Sequence, residues 1–368
     1  MFAAPAARVK SIDRRLDLRS HDEFMASQTG VPVSSVDTWR ERQSRYCAQD
    51  ELSRRVAAIL EPAGVDPFRE GEAVAFLGLL TGAVELVEHQ YRNIYFLPTV
   101  AATHRAPMAD TLELYLSTYA PGARYGVITS GVRCQVGELR ARIVRLSRRV
   151  SIWHRNICAP LGIEVLIRSI ELPCDDGLTF HVHANVLSVL DHRLPPHVWA
   201  DFLRQTRAFF AAHWQDNGRL EDVREVVKYV MKGDDLVRLA DRAPHLIPEL
   251  YHQLERLHLV QPLGGFRDFR RWLEDDRRQA VPEYVKGRRH LVALKRPKCT
   301  RREQPAAGGP QTNQILAVTR PTARFCNERE PLLLIANLDP ETLWDDPAKR
   351  ELARQALANS QRTYAAPA

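Results

Sequence analysis

The sequence LIRSIELPCDDGLTFHVHANVL, residues 166–187, decides the fold of this chain. Two apolar runs, which cover residues 163–172 and 178–190, are separated by a short connection containing proline, two aspartates and glycine. Apolar runs that are separated by a turn predict two antiparallel strands. Side chains of a strand alternate between its two faces, so His181 and His183 leave the second strand on the same face. Two imidazoles spaced in this way suit two ligands of one metal ion.

The segments around this hairpin predict the remainder of an α+β unit. In chain order they are a strand at 124–133, a basic helix at 137–156, the hairpin, an amphipathic helix at 199–214 and a short last strand within 215–222. The order β, α, β, β, α, β is that of a ferredoxin-like or RRM-like antiparallel sheet, the split βαβ motif. We therefore predict an α+β fold in which the helices cover one face of the sheet.

The regions on either side of this unit predict helical N-terminal and C-terminal extensions. We divide the chain into four parts. Residues 1–105 are a mainly helical N-terminal region, and residues 120–235 are the α+β domain. Residues 236–303 are a mixed helical and basic extension, and residues 304–368 are a linker with a C-terminal tail. Within the N-terminal region, apolar spacing predicts helices at 50–60 and 71–89.

Composition excludes several classes of protein. The chain has 368 residues, of which 45% are hydrophobic and 8% aromatic, a balance typical of a packed globular protein. Its longest uncharged apolar stretch, residues 73–84, is shorter than the ~20 residues of a membrane-spanning helix, and the N-terminus lacks the apolar core of an export signal. The cysteines are dispersed, which argues against a structural zinc site. We expect a soluble, cytoplasmic protein that does not bind a membrane.

A second group of chemistry-bearing residues lies in and just after residues 223–231, where apolar residues recur with helical spacing. On the predicted helix, Glu225, Tyr229 and Lys232 are separated by four and three residues and therefore share one face. Lys228 points elsewhere on that helix. A histidine pair followed by a helical tyrosine and lysine suggests cleavage of nucleic acid.

Three sequence motifs in this order resemble those of a known family. The motifs are RYGVITSGVR at 124–133, the hairpin sequence quoted above, and VREVVKYVMK at 223–232. They resemble the HUH endonucleases and, within them, the rolling-circle plasmid replication initiators, or Rep proteins. The resemblance implies an HUH endonuclease palm and a metal-dependent enzyme that nicks and joins single-stranded origin DNA at a specific site.

The resemblance also implies which residues carry the chemistry. His181 and His183 would hold Mg²⁺ or Mn²⁺, which polarises the scissile phosphate, and Tyr229 would attack that phosphate to form a 5′-phosphotyrosyl bond. A phenol with a pKa of about 10 is a weak nucleophile at neutral pH, so the reaction needs a cation that neutralises the phosphate.

Glu171 is the acidic residue that we favour as a third metal ligand, with Asp175 and Asp176 as alternatives. The choice depends on the register of the hairpin. A loop with an odd number of residues puts Glu171 on the face of the histidines, whereas a two-residue turn puts it on the other face. In the structural alternative, Glu171 is a solvated charge near a strand end.

Two charged residues of the third motif have expected roles. Lys232 would steady the phosphate or the tyrosine oxygen, or it is a solvated lysine paired with Glu225 or Asp235. In some single-tyrosine plasmid initiators, which this motif resembles, a glutamate four residues before the tyrosine activates water, so that the final cut leaves no protein attached. We therefore expect Glu225→Gln to nick normally and to remain covalently bound to DNA at termination. Release of free protein by this variant in a replication assay would contradict that role.

The positive charge of the chain favours DNA as its partner. The net charge is +7 and the isoelectric point is about 9.2, which attracts polyanions through counterion release. The basic stretch 286–302 is expected to contact DNA, with Trp199, Trp214 and Tyr125 as candidates for stacking on bases. For the two tryptophans, packing in the core is the favoured alternative. The arginines expected to contact DNA are Arg133, Arg140, Arg145, Arg148 and Arg149.

The expected partners are single-stranded and hairpin origin DNA, a host helicase and a host DNA polymerase. Other functions fit the same residues. A transposase or a mobilisation relaxase would apply the same chemistry to other DNA ends. A non-catalytic DNA-binding regulator would use the sheet alone, and His181, His183 and Tyr229 would then be structural.

Overall fold

A computed structural model describes most of the chain between residues 36 and 295. The described residues are 16, 18–19, 36–69, 74–78, 84–87, 90–190, 194–228, 230–285, 288–295, 314–319 and 332–336. Within these residues, no helix combines the length and the apolar character that a membrane span requires.

The N-terminal region contains both helices and strands. Its elements are β1 (Leu18–Arg19), α1 (Val36–Leu60), β2 (Val74–Gly78), β3 (Val84–Val87) and α2 (Pro98–Tyr119). Helix α1 includes the helix predicted at 50–60. The helix predicted at 71–89 is wrong, because β2 and β3 occupy this segment as an antiparallel pair. A short apolar run can form either element, and here pairing with a distant strand selects the extended form.

The central elements follow the predicted order β, α, β, β, α, β. They are β4 (Arg124–Cys134), α3 (Leu139–Trp153), β5 (Ile163–Glu171), β6 (Phe180–Leu190), α4 (Pro196–Phe210) and β7 (Trp214–Arg219). The strands lie in the order β7-β4-β6-β5, and every neighbouring pair is antiparallel. The prediction of an α+β protein with a mostly antiparallel sheet is confirmed.

The chain after this unit adds helices and strands to several parts of the fold. The elements are α5 (Gly233–Arg242), α6 (Leu246–Leu254), β8 (Val260–Pro262), α7 (Gly264–Asp275), β9 (Arg278–Val285), β10 (Arg288–Lys295), β11 (Gln314–Thr319) and β12 (Leu332–Ala336). Strand β8 extends the central sheet beside β5. Strand β1 joins the β9-β10 hairpin, and β11 and β12 form a sheet with β2 and β3. The predicted linker and tail thus supply strands that pair with the N-terminal region.

Two hydrophobic cores lie on opposite faces of the central sheet. On one face, α3 and α4 pack against Phe180, Val182 and Ala184 of β6. On the other face, α2 and α7 pack against Leu187 and Val189 of the same strand. The prediction that helices cover only one face is therefore wrong. Because β6 is apolar on both faces in its second half, helices from outside the predicted unit bury the second face.

Candidate functional site

The two histidines of β6 lie side by side on the face of the sheet opposite α3 and α4. Both are partly buried, and the residues that alternate with them belong to the core beside α3 and α4. Nδ1 of His181 lies 2.9 Å from Nε2 of His183. The two rings are nearly perpendicular, with planes at 85° and centroids 4.3 Å apart. The spacing in the sequence therefore brings two ring nitrogens together, as predicted.

Burial keeps both imidazoles neutral near pH 7. Burial and the adjacent His181 ring lower the pKa of His183 to about 4. Burial and the positive charge of Arg133 also lower the pKa of His181. A neutral imidazole is the form that binds a metal ion, so neither ring has to lose its charge at physiological pH. The two facing nitrogens share a hydrogen bond, and binding one ion with both of them would require each ring to carry its proton on the other nitrogen.

Glu171 ends β5 directly opposite His183 in the antiparallel register. Residues that oppose each other across two strands project from the same face, so Glu171 lies on the face of the histidines. Its side chain is only 5% exposed, and the carboxylate lies 3.5 Å from Nζ of Lys228. It also lies 4.0 Å from Nζ of Lys232 and 3.4 Å from Nδ2 of Asn185. Glu171 is therefore a buried anion approached by two ammonium groups, and it is not a solvated charge at a strand edge.

The two other acidic residues considered as ligands belong to the connection between β5 and β6. Asp175 forms an ion pair of 2.9 Å with Arg133. Asp176 accepts hydrogen bonds from the backbone N–H groups of Leu178 and Thr179. Asp176 thus stabilises the turn by the side-chain-to-backbone bonding typical of aspartate in turns.

The two facing ring nitrogens of His181 and His183 have the spacing of two ligands of a divalent cation. A separation of 2.9 Å between the two nitrogens is close to the roughly 3 Å between adjacent ligands that each lie about 2.1 Å from an octahedral ion. Nε2 of His181 is buried without a hydrogen-bond partner among the described residues. Within those residues, no three His, Cys, Asp or Glu side chains lie close enough together to hold one ion. The described residues thus offer two neutral nitrogen ligands, and Mg²⁺ or Mn²⁺ commonly takes further ligands from water and phosphate.

The segment of the third motif is not the predicted helix. A 3₁₀ turn covers Val223–Glu225, and the next helix, α5, begins only at Gly233. The first apolar residues of the helical pattern, up to Val227, belong to the core beside α2 and α7. The last two, Val230 and Met231, belong to the core beside α3. One helical stripe cannot face two cores on opposite faces of a sheet, so tertiary packing overrides the local pattern.

The carbonyl groups of this segment are held by side chains from other elements. Four consecutive carbonyl groups accept such hydrogen bonds. Arg105 donates to the carbonyl groups of Arg224 and Val227. Tyr125 donates to the carbonyl of Glu225, and Ser169 donates to that of Val226. These bonds satisfy the acceptors that a helix would satisfy internally. Side chains of α2, β4 and β5 therefore dock the third motif onto the sheet.

The face that Glu225, Tyr229 and Lys232 were expected to share is not formed on a helix. Tyr229 lies outside the described residues. Glu225 is exposed in the 3₁₀ turn, and Lys232 precedes α5 in an extended conformation. Lys228, which helical spacing directs elsewhere, is the closer of the two lysines to Glu171. Lys228 and Lys232, which the predicted helix would direct to different faces, therefore approach the same carboxylate.

Replacing Arg105 by alanine tests this docking. Arg105 donates to the carbonyl of Val227 at 2.5 Å and to that of Arg224 at 2.9 Å. Loss of these charged donors should favour local opening, and we expect amide exchange in residues 224–228 to accelerate about tenfold. Hydrogen-exchange mass spectrometry measures this rate. Arg54→Ala, which removes an exposed arginine from α1, is the control, and equal acceleration in both variants would contradict the docking role.

Gly131 lies in the irregular end of β4 beside the histidine pair. The register of β4 against β6 shifts between Thr129, opposite His183, and Arg133, opposite His181. Gly131 has a φ of +77°, and a Cβ atom there would overlap the ring of His213. The bulge therefore requires a residue without a side chain.

Gly131→Ala is accordingly expected to lower the free energy of unfolding by about 2 kcal/mol, because it adds left-handed backbone strain and displaces the His213 ring. Urea unfolding measures the change. Gly122→Ala is the matched control, since a Cβ atom at that position would meet no atom of a non-adjacent residue within 4 Å. Unchanged stability of Gly131→Ala would show that the bulge accepts a side chain.

The arginines that were expected to contact DNA lie in two places. Arg133 lies at the histidine end of β4 and pairs with Asp175. The others are on α3, which packs on the face of the sheet opposite the histidines; they are Arg140, Arg145, Arg148 and Arg149. Arg149 lies over the rings of Phe209 and Phe210 and so joins α3 to α4. The structure does not bring the arginines of α3 together with the imidazoles.

Asn185 is the main site residue that the sequence reasoning missed. It is fully buried, and its Oδ1 lies 2.7 Å from the hydroxyl oxygen of Tyr125, whose single hydrogen is shared between Asn185 and the Glu225 carbonyl 3.0 Å away. Tyr125 is itself buried, so the expectation that it stacks on bases is wrong. The signal for Asn185 was present, because the alternation that pairs His181 with His183 continues to this polar residue within an apolar strand. No pattern in the sequence places Lys228 beside Glu171, because its position depends on the non-helical path of the third motif.

Comparisons with known proteins complete the description of the site. Neither the family models, the curated proteins nor the solved structures give a match to this chain. Inferences about function therefore depend on the residues and contacts described above.

Proposed function

We propose that this chain is a metal-dependent, site-specific enzyme that nicks and joins single-stranded DNA through a covalent tyrosine intermediate, and that it initiates rolling-circle replication of a plasmid. It would be an HUH endonuclease of the Rep kind, the family that its three motifs resemble. One observation carries the proposal: the nitrogens of His181 and His183 converge beside a buried carboxylate that Lys228 and Lys232 of the third motif approach.

The topology of the sheet supports this proposal. The order β7-β4-β6-β5 with antiparallel neighbours is compatible with the split βαβ, ferredoxin-like motif expected of an HUH palm. Strand β6 is paired on both sides, with β4 and with β5. Both imidazoles therefore stand on an inner strand, where neighbouring strands restrict their movement and preorganise a site.

Cationic side chains that could contact a phosphate lie around the histidines. Arg133, Lys228 and Lys232 bring three positive charges to this end of the sheet, and Glu171, Asp175 and Asp176 bring three negative charges. The charges balance, so the support for a phosphate here is the presence of cationic donors that could stabilise charge developing on it.

The proposed reaction exchanges one phosphodiester for another. The hydroxyl oxygen of Tyr229 bonds to phosphorus, the bond from phosphorus to the 3′ oxygen breaks, and the phenolic proton is lost to solvent as the 3′ oxygen gains one. Mg²⁺ or Mn²⁺ held by His181 and His183 would supply charge neutralisation at the phosphate. The phosphotyrosyl bond keeps the energy needed for rejoining, so ATP is not required. Glu225, which is exposed, is accessible to the water that a final hydrolytic cut would use.

Trapping the covalent adduct tests the proposal. The protein is incubated with Mn²⁺ and single-stranded oligonucleotides that tile the DNA around its gene, and the product is digested and analysed by mass spectrometry. We expect a nucleotide adduct on the peptide that contains Tyr229, and Tyr229→Phe should abolish it. Tyr46→Phe, which alters an exposed tyrosine of α1, should leave the adduct unchanged.

The same experiment separates the competing functions. Binding of oligonucleotides without any adduct would favour a non-catalytic regulator on the same scaffold and would overturn the enzymatic proposal. An adduct formed only with transposon ends or a transfer origin would retain the chemistry and replace the replication role with that of a transposase or a mobilisation relaxase.

A further inference from the structure

A cavity of about 610 Å³ opens beside the third motif. Its walls come from α2, α7, β9 and the chain that leads into β8, and they include Val227, Lys228 and Val230. Lys228 also lies 3.5 Å from the Glu171 carboxylate, and Glu171 is opposite His183. Lys228 therefore lies both in the wall of the cavity and beside the histidine site.

The wall of this cavity combines apolar and charged side chains. Val230, Leu259 and Leu273 form part of the wall and are buried core residues. The cationic side chains that line it are Arg105, Lys228, Arg270 and Arg278, and the anionic ones are Asp110 and Glu274. Apolar wall residues together with more cationic than anionic side chains suit a ligand that has flat apolar rings and a phosphate.

An aromatic pair contributes to the wall of the cavity. Tyr95 is 40% exposed, and its ring lies 5.1 Å from the ring of His104, tilted by 57°. Both residues line the cavity. Burial and nearby Arg69 lower the pKa of His104, so its ring is neutral at pH 7. An exposed aromatic ring in the wall of a cavity that also carries cationic side chains provides a platform on which nucleobases stack.

We propose that this cavity binds nucleotides of single-stranded DNA that flank the scissile phosphate. A base would stack on Tyr95, a second base would contact the apolar wall residues, and the connecting phosphate would lie near Lys228. The proposal rests on the proposed function and deepens it, because it assigns part of the DNA path to α2, α7 and β9, which lie outside the three motifs.

Measuring the binding of single-stranded DNA to variants of Tyr95 tests whether the cavity is a DNA site. The probe is fluorescein-labelled (dT)₂₀ in metal-free buffer, and its fluorescence anisotropy reports the dissociation constant. Tyr95→Ala should weaken binding roughly tenfold, and Tyr95→Trp should restore it, because stacking needs only an aromatic face. Tyr46→Ala removes a tyrosine of similar exposure, 36%, outside the cavity and should change binding less than about twofold.

Cross-linking gives a second measurement that does not depend on a variant. Photolysis of the wild-type protein with 5-iodouracil-substituted (dT)₂₀ should attach the oligonucleotide to peptides that contain Tyr95 or His104. Equal binding by Tyr95→Ala and Tyr46→Ala, cross-links confined to other peptides, or no binding of (dT)₂₀ by the wild type would each overturn the proposal.

The outcomes distinguish this proposal from the nicking function. If the adduct forms on Tyr229 while Tyr95→Ala binds (dT)₂₀ like the wild type, the cavity proposal fails and the enzymatic function stands. If Tyr95→Ala loses binding but the wild type forms no adduct, the cavity is a site for single-stranded DNA in a protein that does not cut it.

Discussion

Replacing His183 by alanine is expected to lower the rate of Mn²⁺-dependent adduct formation by roughly 100-fold or more. The variant removes one of the two nitrogens that lie 2.9 Å apart and leaves a single imidazole, which binds a divalent ion weakly. In metal-assisted reactions, charge neutralisation at the phosphate stabilises the transition state by several kcal/mol. Each ~1.4 kcal/mol of the activation free energy corresponds to a tenfold change in rate. The adduct assay with a tiled oligonucleotide measures the rate directly.

A second measurement and a matched control make this prediction specific. The electron paramagnetic resonance signal of free Mn²⁺ should decrease when wild-type protein is added and should decrease much less with His183→Ala. His197→Ala, which alters an exposed histidine of α4, should behave like the wild type in both assays. If His183→Ala binds Mn²⁺ and forms the adduct as well as the wild type does, the histidine pair is structural.

Replacing Asn185 by alanine is expected to lower the free energy of unfolding by about 2–3 kcal/mol. Asn185 is fully buried, and it bonds both the Tyr125 hydroxyl and the Glu171 carboxylate. Alanine would remove two hydrogen bonds of about 0.5–1.5 kcal/mol each and leave a small cavity, while Tyr125 keeps the Glu225 carbonyl and Glu171 keeps its two lysines. Urea unfolding followed by circular dichroism gives the difference between the variant and the wild type.

A double-mutant cycle shows whether the loss arises from this network. Tyr125→Phe alone should destabilise the protein by about 1 kcal/mol. It should destabilise the Asn185→Ala protein by less, because the bond to Asn185 is already lost and only the contact with the Glu225 carbonyl remains. Asn217→Ala, at an exposed position of β7, should stay within about 0.5 kcal/mol of the wild type. Additive losses in the double variant would contradict a coupled network.

Glu171 shows which features of the site can be predicted from the sequence and which cannot. Its residue type and its place at the end of a strand are evident in the sequence, but its face depends on the register of the hairpin. The structure pairs it with His183, and its approach to Lys228 and Lys232 then depends on where the third motif crosses the sheet. Register is set by pairing along the whole strand, so no local pattern of residues specifies it.

The sequence by itself determined the alternation of strands and helices from β4 to β7 and the shared face of His181 and His183. These features follow from periodicity and turn residues, which act over a few positions. Only the tertiary structure decided that helices cover both faces of the sheet and that residues 223–232 are not a helix. The apolar residues of that segment divide between cores on opposite faces of the sheet. Burying both sets offsets the loss of helical hydrogen bonds, because four of the carbonyl groups bond side chains of other elements instead.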